Sequence, residues 1–279
     1  MATEQNFKYF AVTYPQEYVA HVEINRADKM NAFHEEMWLE MRRVFDLLST
    51  SSSVRAIVLS GAGSKAFTTG LDVKAASQGV LTSAADSDAA RQATILRRHI
   101  VEFQDCISAI ERCEKPVISA IHGYALGLAV DIATATDVRL SAADTRFAVK
   151  EVDIGLAADI GTLSRLPKVV GNYGWVKDVA LTARIFGAEE ALRVGLVSGV
   201  YEDKEKTVKA ALDLAALMAS KSPVAVQGTK ELLNWSRDHS VQDGLRYTGV
   251  WNSAALQTND IQSAIFSQMQ KKKPTFEKL

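Results

Sequence analysis

Short apolar runs alternate with stretches of helical periodicity along the first part of the chain. Residues 10–14, 19–24 and 54–60 are rich in Val, Ile and other residues that favour extended structure, which predicts three β-strands. Residues 15–17, Pro-Gln-Glu, predict a turn after the first strand. Residues 34–48 place Met, Phe and Leu side chains on one stripe, which predicts a helix before the third strand.

The middle of the chain continues this alternation. Residues 93–111 have helical periodicity, and residues 116–122, 138–141 and 146–149 are short apolar segments that predict strands. Residues 75–90 are rich in Ala, Ser, Asp and Gly, which predicts a mobile loop or a frayed helix beside a pocket.

Helical patterns dominate from about Tyr173 onward, with residues 196–201 as the exception. Strands that alternate with helices and are followed by a helical end predict an α/β domain with a helical appendage. We predict a catalytic core over residues 1–200 and a helical C-terminal region over residues 201–279.

Charge and composition exclude several classes of function. The formal net charge is -1, and no basic stripe precedes the lysines at 271–273, so we expect no nucleic-acid partner. No apolar run reaches the roughly 18 residues that a membrane-spanning helix needs. The five histidines lack metal-ligand spacing, and no glycine motif for a nucleotide is present. We therefore expect neither a metal nor a nucleotide cofactor.

Two glycine-containing turns are candidates for binding negative charge. Residues 121–137 end a strand near Gly123, pass through a tight turn at Gly127 and begin a helix of small residues. Free N–H groups and the helix dipole favour an anion at such a helix start, as in an oxyanion hole. A similar turn surrounds Gly70, after which Leu71 could present its N–H. Both patterns are also typical of ordinary structural turns.

Three acidic residues, Glu151, Asp153 and Asp159, lie in a segment that is otherwise mostly apolar. Burial raises the pKa of a carboxyl group, and neighbouring acids raise one another's pKa as a coupled set. A carboxyl group that titrates near neutral pH is suited to transferring protons. The alternative is that these acids are helix caps or solvated loop residues.

Taken together, these segments resemble the crotonase (enoyl-CoA hydratase/isomerase) superfamily over nearly the whole chain. The resemblance is carried by residues 24–32 (Ile-Asn-Arg-Ala-Asp-Lys-Met-Asn-Ala), 67–72 (Phe-Thr-Thr-Gly-Leu-Asp) and 122–131 (His-Gly-Tyr-Ala-Leu-Gly-Leu-Ala-Val-Asp). Within the family, residues 150–168 are most similar to the Δ3,5-Δ2,4-dienoyl-CoA isomerases. The resemblance implies an α/β fold with a crotonase-like spiral β/α core and a C-terminal helical trimerisation region.

The resemblance also implies roles for individual residues. Leu71 and Leu128 would donate the two backbone N–H groups that hold the thioester oxygen. Glu151 and Asp159 would move a proton between C2 and C6 of a dienoyl chain, with Asp131 as a third acid in the pocket. The residues implied to bind CoA are Lys29, Asn31, Ala32, Ala66 and Gly70.

One departure from the family concerns the oxyanion turn. The family usually has three glycines before the first acid, where this chain has Gly127, Leu128 and Ala129. The backbone N–H of Leu128 survives this change. Its side chain, however, could narrow or redirect the acyl pocket.

The implied activity is the isomerisation of 3,5-dienoyl-CoA to 2,4-dienoyl-CoA in fatty-acid β-oxidation. The substrate would be an acyl-CoA thioester, and no separate cofactor is expected because CoA is part of the substrate. The resemblance further implies a homotrimer or a hexamer built as a dimer of trimers. The last tripeptide, residues 277–279 (Glu-Lys-Leu), matches the peroxisomal Ser-Lys-Leu signal at two of three positions, so we expect a peroxisomal or mitochondrial location.

Two alternative functions stay open. An enoyl-CoA hydratase would use Asp131 and Glu151 to hold a water molecule, but hydratases usually have glycine at the position of Asp159. A non-catalytic acyl-CoA-binding or scaffold protein with the crotonase fold is favoured only by the missing glycines at 128 and 129.

Overall fold

A six-stranded sheet forms the centre of the computed structural model, which describes residues 7–76 and 88–279. In their order across the sheet, the strands are β1 (Phe10–Gln16), β2 (Val19–Ile24), β3 (Ala56–Gly61), β5 (Val117–Ile121), β7 (Val138–Ala142) and β10 (Gly199–Tyr201). Strands β1 and β2 pair antiparallel, and every other neighbouring pair is parallel. The parallel strands are mostly apolar, as expected for a sheet that is covered on both faces.

A second, four-stranded sheet is made of short strands. Its order is β4 (Ala66–Thr68), β6 (Tyr124–Leu126), β8 (Arg146–Ala148) and β9 (Phe186–Gly187). The first three are parallel to one another, and each follows in the chain directly after a strand of the large sheet. The loops that leave β4, β6 and β8 therefore lie side by side at one end of the molecule.

Eleven helices are present in the described part of the chain. They are α1 (Glu35–Thr50), α2 (Val73–Ala76), α3 (Ala89–Arg112), α4 (Leu128–Ala135), α5 (Thr162–Val169), α6 (Tyr173–Thr182), α7 (Ala188–Arg193), α8 (Lys204–Ala219), α9 (Pro223–Arg237), α10 (Val241–Ala255) and α11 (Asp260–Met269). Two single 3-10 turns lie at Ala27–Lys29 and Glu151–Ile154. Over these residues, none of the helices is both long and apolar enough to span a membrane.

The large sheet is covered on both faces. Helix α8 lays its alanine stripe (Ala211, Ala215 and Ala219) against strand residues that include Val58 and Ile118. The opposite face belongs to the main core, to which α1 and α3 contribute large apolar side chains. The division of the chain at residue 200 stays a prediction, and α8, which follows it, packs on the sheet.

Helix α4 lies inside the core, and all eight of its residues are buried. Because it is enclosed, a polar side chain on it must find partners within the protein. Asp131 is that side chain, and it lies in the first turn of α4, beside the loops that leave β6 and β8.

Most predicted elements are present with shifted ends, but two predictions need comment. The turn predicted at residues 15–17 is wrong: β1 runs through Gln16, and the turn lies at Glu17 and Tyr18. Pro15 is tolerated because β1 is an edge strand, where a missing N–H does not interrupt a ladder on both sides. The segment predicted as a loop or frayed helix, 75–90, falls mostly outside the described residues.

Candidate active site

The two glycine turns come into direct contact at Gly70. Gly70 has φ +88°, and a Cβ atom there would lie 2.8 Å from the carbonyl oxygen of Leu126 and 3.5 Å from the amide nitrogen of Leu128. Both the positive φ and the close approach exclude a side chain. The loop after β4 can therefore touch the turn after β6, and the predicted amide donors Leu71 and Leu128 lie on adjoining segments.

A backbone bridge to Phe33 fixes the orientation of Leu71. The Phe33 N–H donates to the Gly70 carbonyl and the Asp72 N–H donates to the Phe33 carbonyl, both at 2.8 Å. These bonds use the groups on either side of Leu71, so its own N–H points away from Phe33. Arg26 holds the same loop by donating from Nη1 to Oδ2 of Asp72 at 2.8 Å.

Leu128 is the first residue of α4, where an N–H has no partner within the helix. Gly127 precedes it with φ +54° and ψ -115°, and donates its own N–H to the Ala148 carbonyl at 2.9 Å. The positive end of the helix dipole adds to the attraction for negative charge. The Leu128 side chain is 2% exposed and lies in the main core, so the protein accommodates a leucine at this position by burying it.

Asp131 is enclosed on the inner side of the site. Its Oδ1 accepts a hydrogen bond of 2.6 Å from the backbone N–H of Thr162. Burial, and then the charge of Glu151, raise the pKa of Asp131 to about 7. Near neutral pH this carboxyl group is therefore poised between its two protonation states.

Glu151 lies beside the oxyanion turn. A Cβ atom at Gly127 would be 3.3 Å from Oε1 of Glu151, which places this carboxyl group next to the start of α4. Its Oε2 is buried and has no hydrogen-bond partner among residues 7–76 and 88–279. Burial raises the pKa of Glu151, and the charge of Asp159 raises it further. An unsatisfied buried carboxyl oxygen is costly, and is expected where a ligand completes the site.

Asp159 and Asp153 occupy different surroundings from Glu151. Asp159 is exposed, and its backbone carbonyl accepts a hydrogen bond from Nε2 of Gln104 at 2.5 Å. Asp153 is also exposed and pairs with Lys150 at 2.7 Å. The expectation of three acids in one apolar setting is thus wrong for Asp153 and for Asp159, since both are exposed and the 3-10 turn directs Asp153 to Lys150. The charge of Glu151 raises the pKa of Asp131, and the charge of Asp159 raises the pKa of Glu151.

The predicted CoA-binding residues form the support of the Gly70 loop. Lys29 is exposed, whereas Asn31, Ala32, Ala66 and Gly70 are buried. Nδ2 of Asn31 donates to the backbone carbonyls of Ala62 and Ala66, each at 2.9 Å. The Asn31 side chain thus ties two loops together, and the role of the five residues in binding CoA stays a prediction.

Two neighbours of Asp131 were not singled out as site residues from the sequence. Thr162 begins α5. A helix that starts directly after Gly161 is the feature of the sequence that could have indicated a carboxylate-binding position here. Arg165 donates from Nε and Nη2 to Oε2 of Glu111, at 3.1 and 3.0 Å. A Cβ atom at Gly161 would collide with Nη1 of Arg165 and lie 3.8 Å from Oδ1 of Asp131. No local pattern relates Arg165 to Glu111, which is 54 residues away.

A separate group of possible ligand atoms lies on the surface between α1 and α3. Glu35, His99 and Glu102 each offer one atom, and these atoms lie within 4.8 Å of one another. The histidine spacing in the sequence did not indicate this group because Glu35 comes from a distant helix. We assign it no role.

The geometry supports one kind of chemistry. Two backbone amides from adjoining loops can share one negatively charged oxygen, and preorganised donors of this kind stabilise an enolate or oxyanion. Glu151 lies next to them, and one of its carboxyl oxygens has no hydrogen-bond partner in the described part of the chain. A nearby carboxyl group of raised pKa can exchange protons with the same substrate.

Comparison with known proteins decides the family. The Enoyl-CoA hydratase/isomerase family matches residues 15–278. This chain belongs to that family. Among relatives of the enoyl-CoA hydratase/isomerase family, the mitochondrial Delta(3,5)-Delta(2,4)-dienoyl-CoA isomerase of Homo sapiens is 47% identical over 281 residues, covering 100% of this chain and 85% of the relative. The peroxisomal Delta(3,5)-Delta(2,4)-dienoyl-CoA isomerase of Arabidopsis thaliana is 43% identical over 261 residues, covering 94% of this chain and 93% of the relative.

Solved structures of the enoyl-CoA hydratase/isomerase family have the same fold. The enoyl-CoA hydratase from Bacillus anthracis superimposes with a TM-score of 0.86, covering 97% of this chain and 99% of that chain, at 24% identity. The predicted α/β, crotonase-like fold with helices at its C-terminal end is therefore confirmed. The predicted trimerisation through those helices stays a prediction.

Proposed function

We propose that this protein isomerises 3,5-dienoyl-CoA to 2,4-dienoyl-CoA. The observation that carries the proposal is the buried Oε2 of Glu151 next to the Gly127–Leu128 turn, which has no hydrogen-bond partner among the residues that the structure describes, with Asp159 as a further acid. The names of the human and Arabidopsis relatives support the same reaction, at 47% and 43% identity.

The chain's own residues supply each part of the reaction. The N–H groups of Leu71 and Leu128 hold the thioester oxygen, and a donor of this kind contributes about 3 kcal/mol to stabilising the enolate. One carboxylate of the Glu151–Asp159 pair removes a proton from C2. A carboxylic acid of the same pair gives a proton to C6, and the double bonds move from C3 and C5 to C2 and C4. Protons balance over the cycle, so the reaction needs no separate cofactor.

The hydratase alternative differs at Asp159. Adding water across a double bond needs two acids around one water molecule, which Asp131 and Glu151 could supply. It gives no role to a third acid whose charge acts on Glu151. The scaffold alternative loses its argument from Leu128, because that side chain is buried in the core and the backbone amide is retained.

Assembly and location belong to the same proposal. The helices α10 and α11 expose large apolar side chains, including Val241, Leu245, Val250, Ile265 and Phe266. Such a surface favours association, and we propose a homotrimer or a dimer of trimers, to be measured by light scattering after size-exclusion chromatography. The relatives are named as mitochondrial and peroxisomal, and we propose one of these two locations.

The reaction is tested by ultraviolet absorbance. Purified protein is mixed with 3,5-octadienoyl-CoA, and formation of the conjugated dienoyl thioester is followed. We expect rapid formation of product, together with slow or no hydration of crotonyl-CoA. Brisk hydration of crotonyl-CoA with no change in the dienoyl substrate would establish the hydratase instead. Binding of acyl-CoA by calorimetry with turnover of neither substrate would establish the scaffold.

A further inference from the structure

Arg165 connects the acids of the site to an ion-pair network outside it. Two of its three guanidinium nitrogens face α3, where Nε and Nη2 donate to Oε2 of Glu111 and Nη2 also donates to Oγ of Ser108 at 2.8 Å. Its side chain is 11% exposed, and that of Glu111 is 18% exposed. A charge this enclosed is only weakly screened by solvent and salt.

The third nitrogen, Nη1, lies on the side of Asp131. It occupies the space that a side chain at Gly161 would need, and Oδ1 of Asp131 borders the same space. Since Gly161 has no side chain, the guanidinium can approach the carboxylate there. The same carboxyl oxygen accepts the Thr162 N–H, so one hydrogen-bond donor and one nearby positive charge from the start of α5 act on Asp131.

We propose that Arg165 is a positioning residue that holds Asp131 in its ionised form, by placing a positive charge on the side of Asp131 where the Thr162 N–H also binds. The inference rests on the proposed function, in which Glu151, the acid whose charge acts on Asp131, exchanges protons with the reacting chain. Arg165 acts through Asp131 and not on the substrate.

The charged groups around Asp131 support this assignment. Glu151 faces it from the 3-10 turn, and Arg165 faces it from α5 with Glu111 of α3 behind. Strands β4 and β6, with sequences Ala-Phe-Thr and Tyr-Ala-Leu, contain no charged residue. Burial and the charge of Glu151 raise the pKa of Asp131; the hydrogen bonds from Thr162, and then the positive charge of Arg165, oppose that rise. A positive charge at this range lowers the pKa of a carboxyl group by about 1–3 units.

The test compares Arg165→Gln with Arg165→Lys and with Arg237→Gln. Arg237 is a matched control because it pairs with the other carboxylate oxygen of Glu111, on the side away from Asp131. We expect the pH profile of kcat/KM to move upward by about one unit in Arg165→Gln and by less than half of that in Arg165→Lys. In Arg237→Gln we expect a comparable loss of thermal stability and a pH profile that moves clearly less than in Arg165→Gln, because the Arg165 charge is still present.

A second measurement does not depend on turnover. The carbonyl stretch of protonated Asp131, identified by its loss in Asp131→Asn, is titrated by infrared difference spectroscopy in each variant. An unshifted titration in Arg165→Gln, or an equal shift in Arg237→Gln, would overturn the proposal. If the wild-type protein does not isomerise dienoyl-CoA, the proposed function fails, and the infrared titration still decides the role of Arg165.

Glu111→Gln covers the case in which Arg165→Gln does not fold. Removal of the Glu111 charge leaves the charge of Arg165 less compensated on the side of Asp131, so the titration of Asp131 should move to lower pH. A titration that stays in place or moves to higher pH would contradict the proposal.

Discussion

The two halves of the candidate site are built from different chemical groups, backbone amides in one half and acidic side chains in the other. The half proposed to hold the thioester oxygen consists of backbone amides at Leu71 and Leu128, and the neighbouring backbone groups are bonded to Phe33 and Ala148. The half proposed to move protons consists of side chains, on a 3-10 turn at Glu151 and on an exposed segment at Asp159.

This difference between backbone and side-chain groups determines which kind of substitution can alter each half. The amides cannot be removed by changing a side chain, so they change only through the glycines that set the backbone. The acids can be changed one at a time, and their proton affinities depend on burial and on neighbouring charges. Substitutions that change the backbone conformation therefore test the first half, and substitutions that remove a carboxyl group test the second half.

The largest effect is expected at Glu151. Glu151→Gln keeps the shape of the side chain but removes its ability to take a proton, and turnover of the dienoyl substrate should fall at least about 100-fold. Asp153→Asn is the matched control, since Asp153 lies on the same 3-10 turn but pairs with Lys150. Equal turnover in the wild type and Glu151→Gln would remove Glu151 from the reaction.

Asp159→Asn should lower the same turnover by at least about 100-fold, because the proposed transfer between C2 and C6 needs both acids. Asp159 is exposed, so the melting temperature should hardly change. Isomerisation rates and calorimetric melting are measured together. A near-normal rate with normal melting would favour the hydratase, which does not use this acid.

A smaller effect is expected from the backbone half. Gly127→Ala places a Cβ atom 3.3 Å from Oε1 of Glu151 at a φ of +54°, and turnover should fall about tenfold or more as the Leu128 amide shifts. Gly155→Ala is the control: its φ is +81°, but a Cβ atom there has no neighbour within 4 Å. Both variants should lose about 1–2 kcal/mol of unfolding free energy through strain. A Gly155→Ala variant that loses as much turnover would show that strain alone explains the effect.

The same division explains what the sequence could predict. The glycines at 70 and 127 are local signals, because a position with positive φ favours glycine at that same position of the sequence. The two turns and the helix after Gly127 are therefore predicted from the sequence, whereas the short strands directly before the turns, β4 and β6, are not. Asp153 is wrongly grouped with Glu151, although its pairing with Lys150 at a spacing of three residues is a local contact. Arg165 is missed because its partner Glu111 is 54 residues away in the chain.

The pH dependence of stability tests the burial of Asp131. Its pKa in the folded protein, about 7, lies above the ordinary 3.8, so the unfolded chain releases this proton first as the pH rises. The wild type should therefore lose stability between pH 4 and 7, by up to about 1.4 kcal/mol per pH unit, and no further above pH 7. Asp131→Asn lacks this loss and should gain stability relative to the wild type over that interval. Urea unfolding at pH 4.5 and pH 8 measures the difference, with exposed Asp28→Asn as the control.

The smallest effect on turnover is expected at Leu128, where the two halves meet. Leu128→Gly restores the glycine that the family usually has and keeps the amide, so turnover should stay within about threefold of the wild type. Its buried side chain is lost from the core, however, and the unfolding free energy should fall by about 2–4 kcal/mol. Ala129→Gly, one residue further along the same helix, controls for the flexibility of glycine. Turnover and KM are measured with short and long dienoyl chains. A side chain that packs only in the core leaves the ratio of the two KM values unchanged, whereas a changed ratio would show that Leu128 also limits the length of the acyl chain.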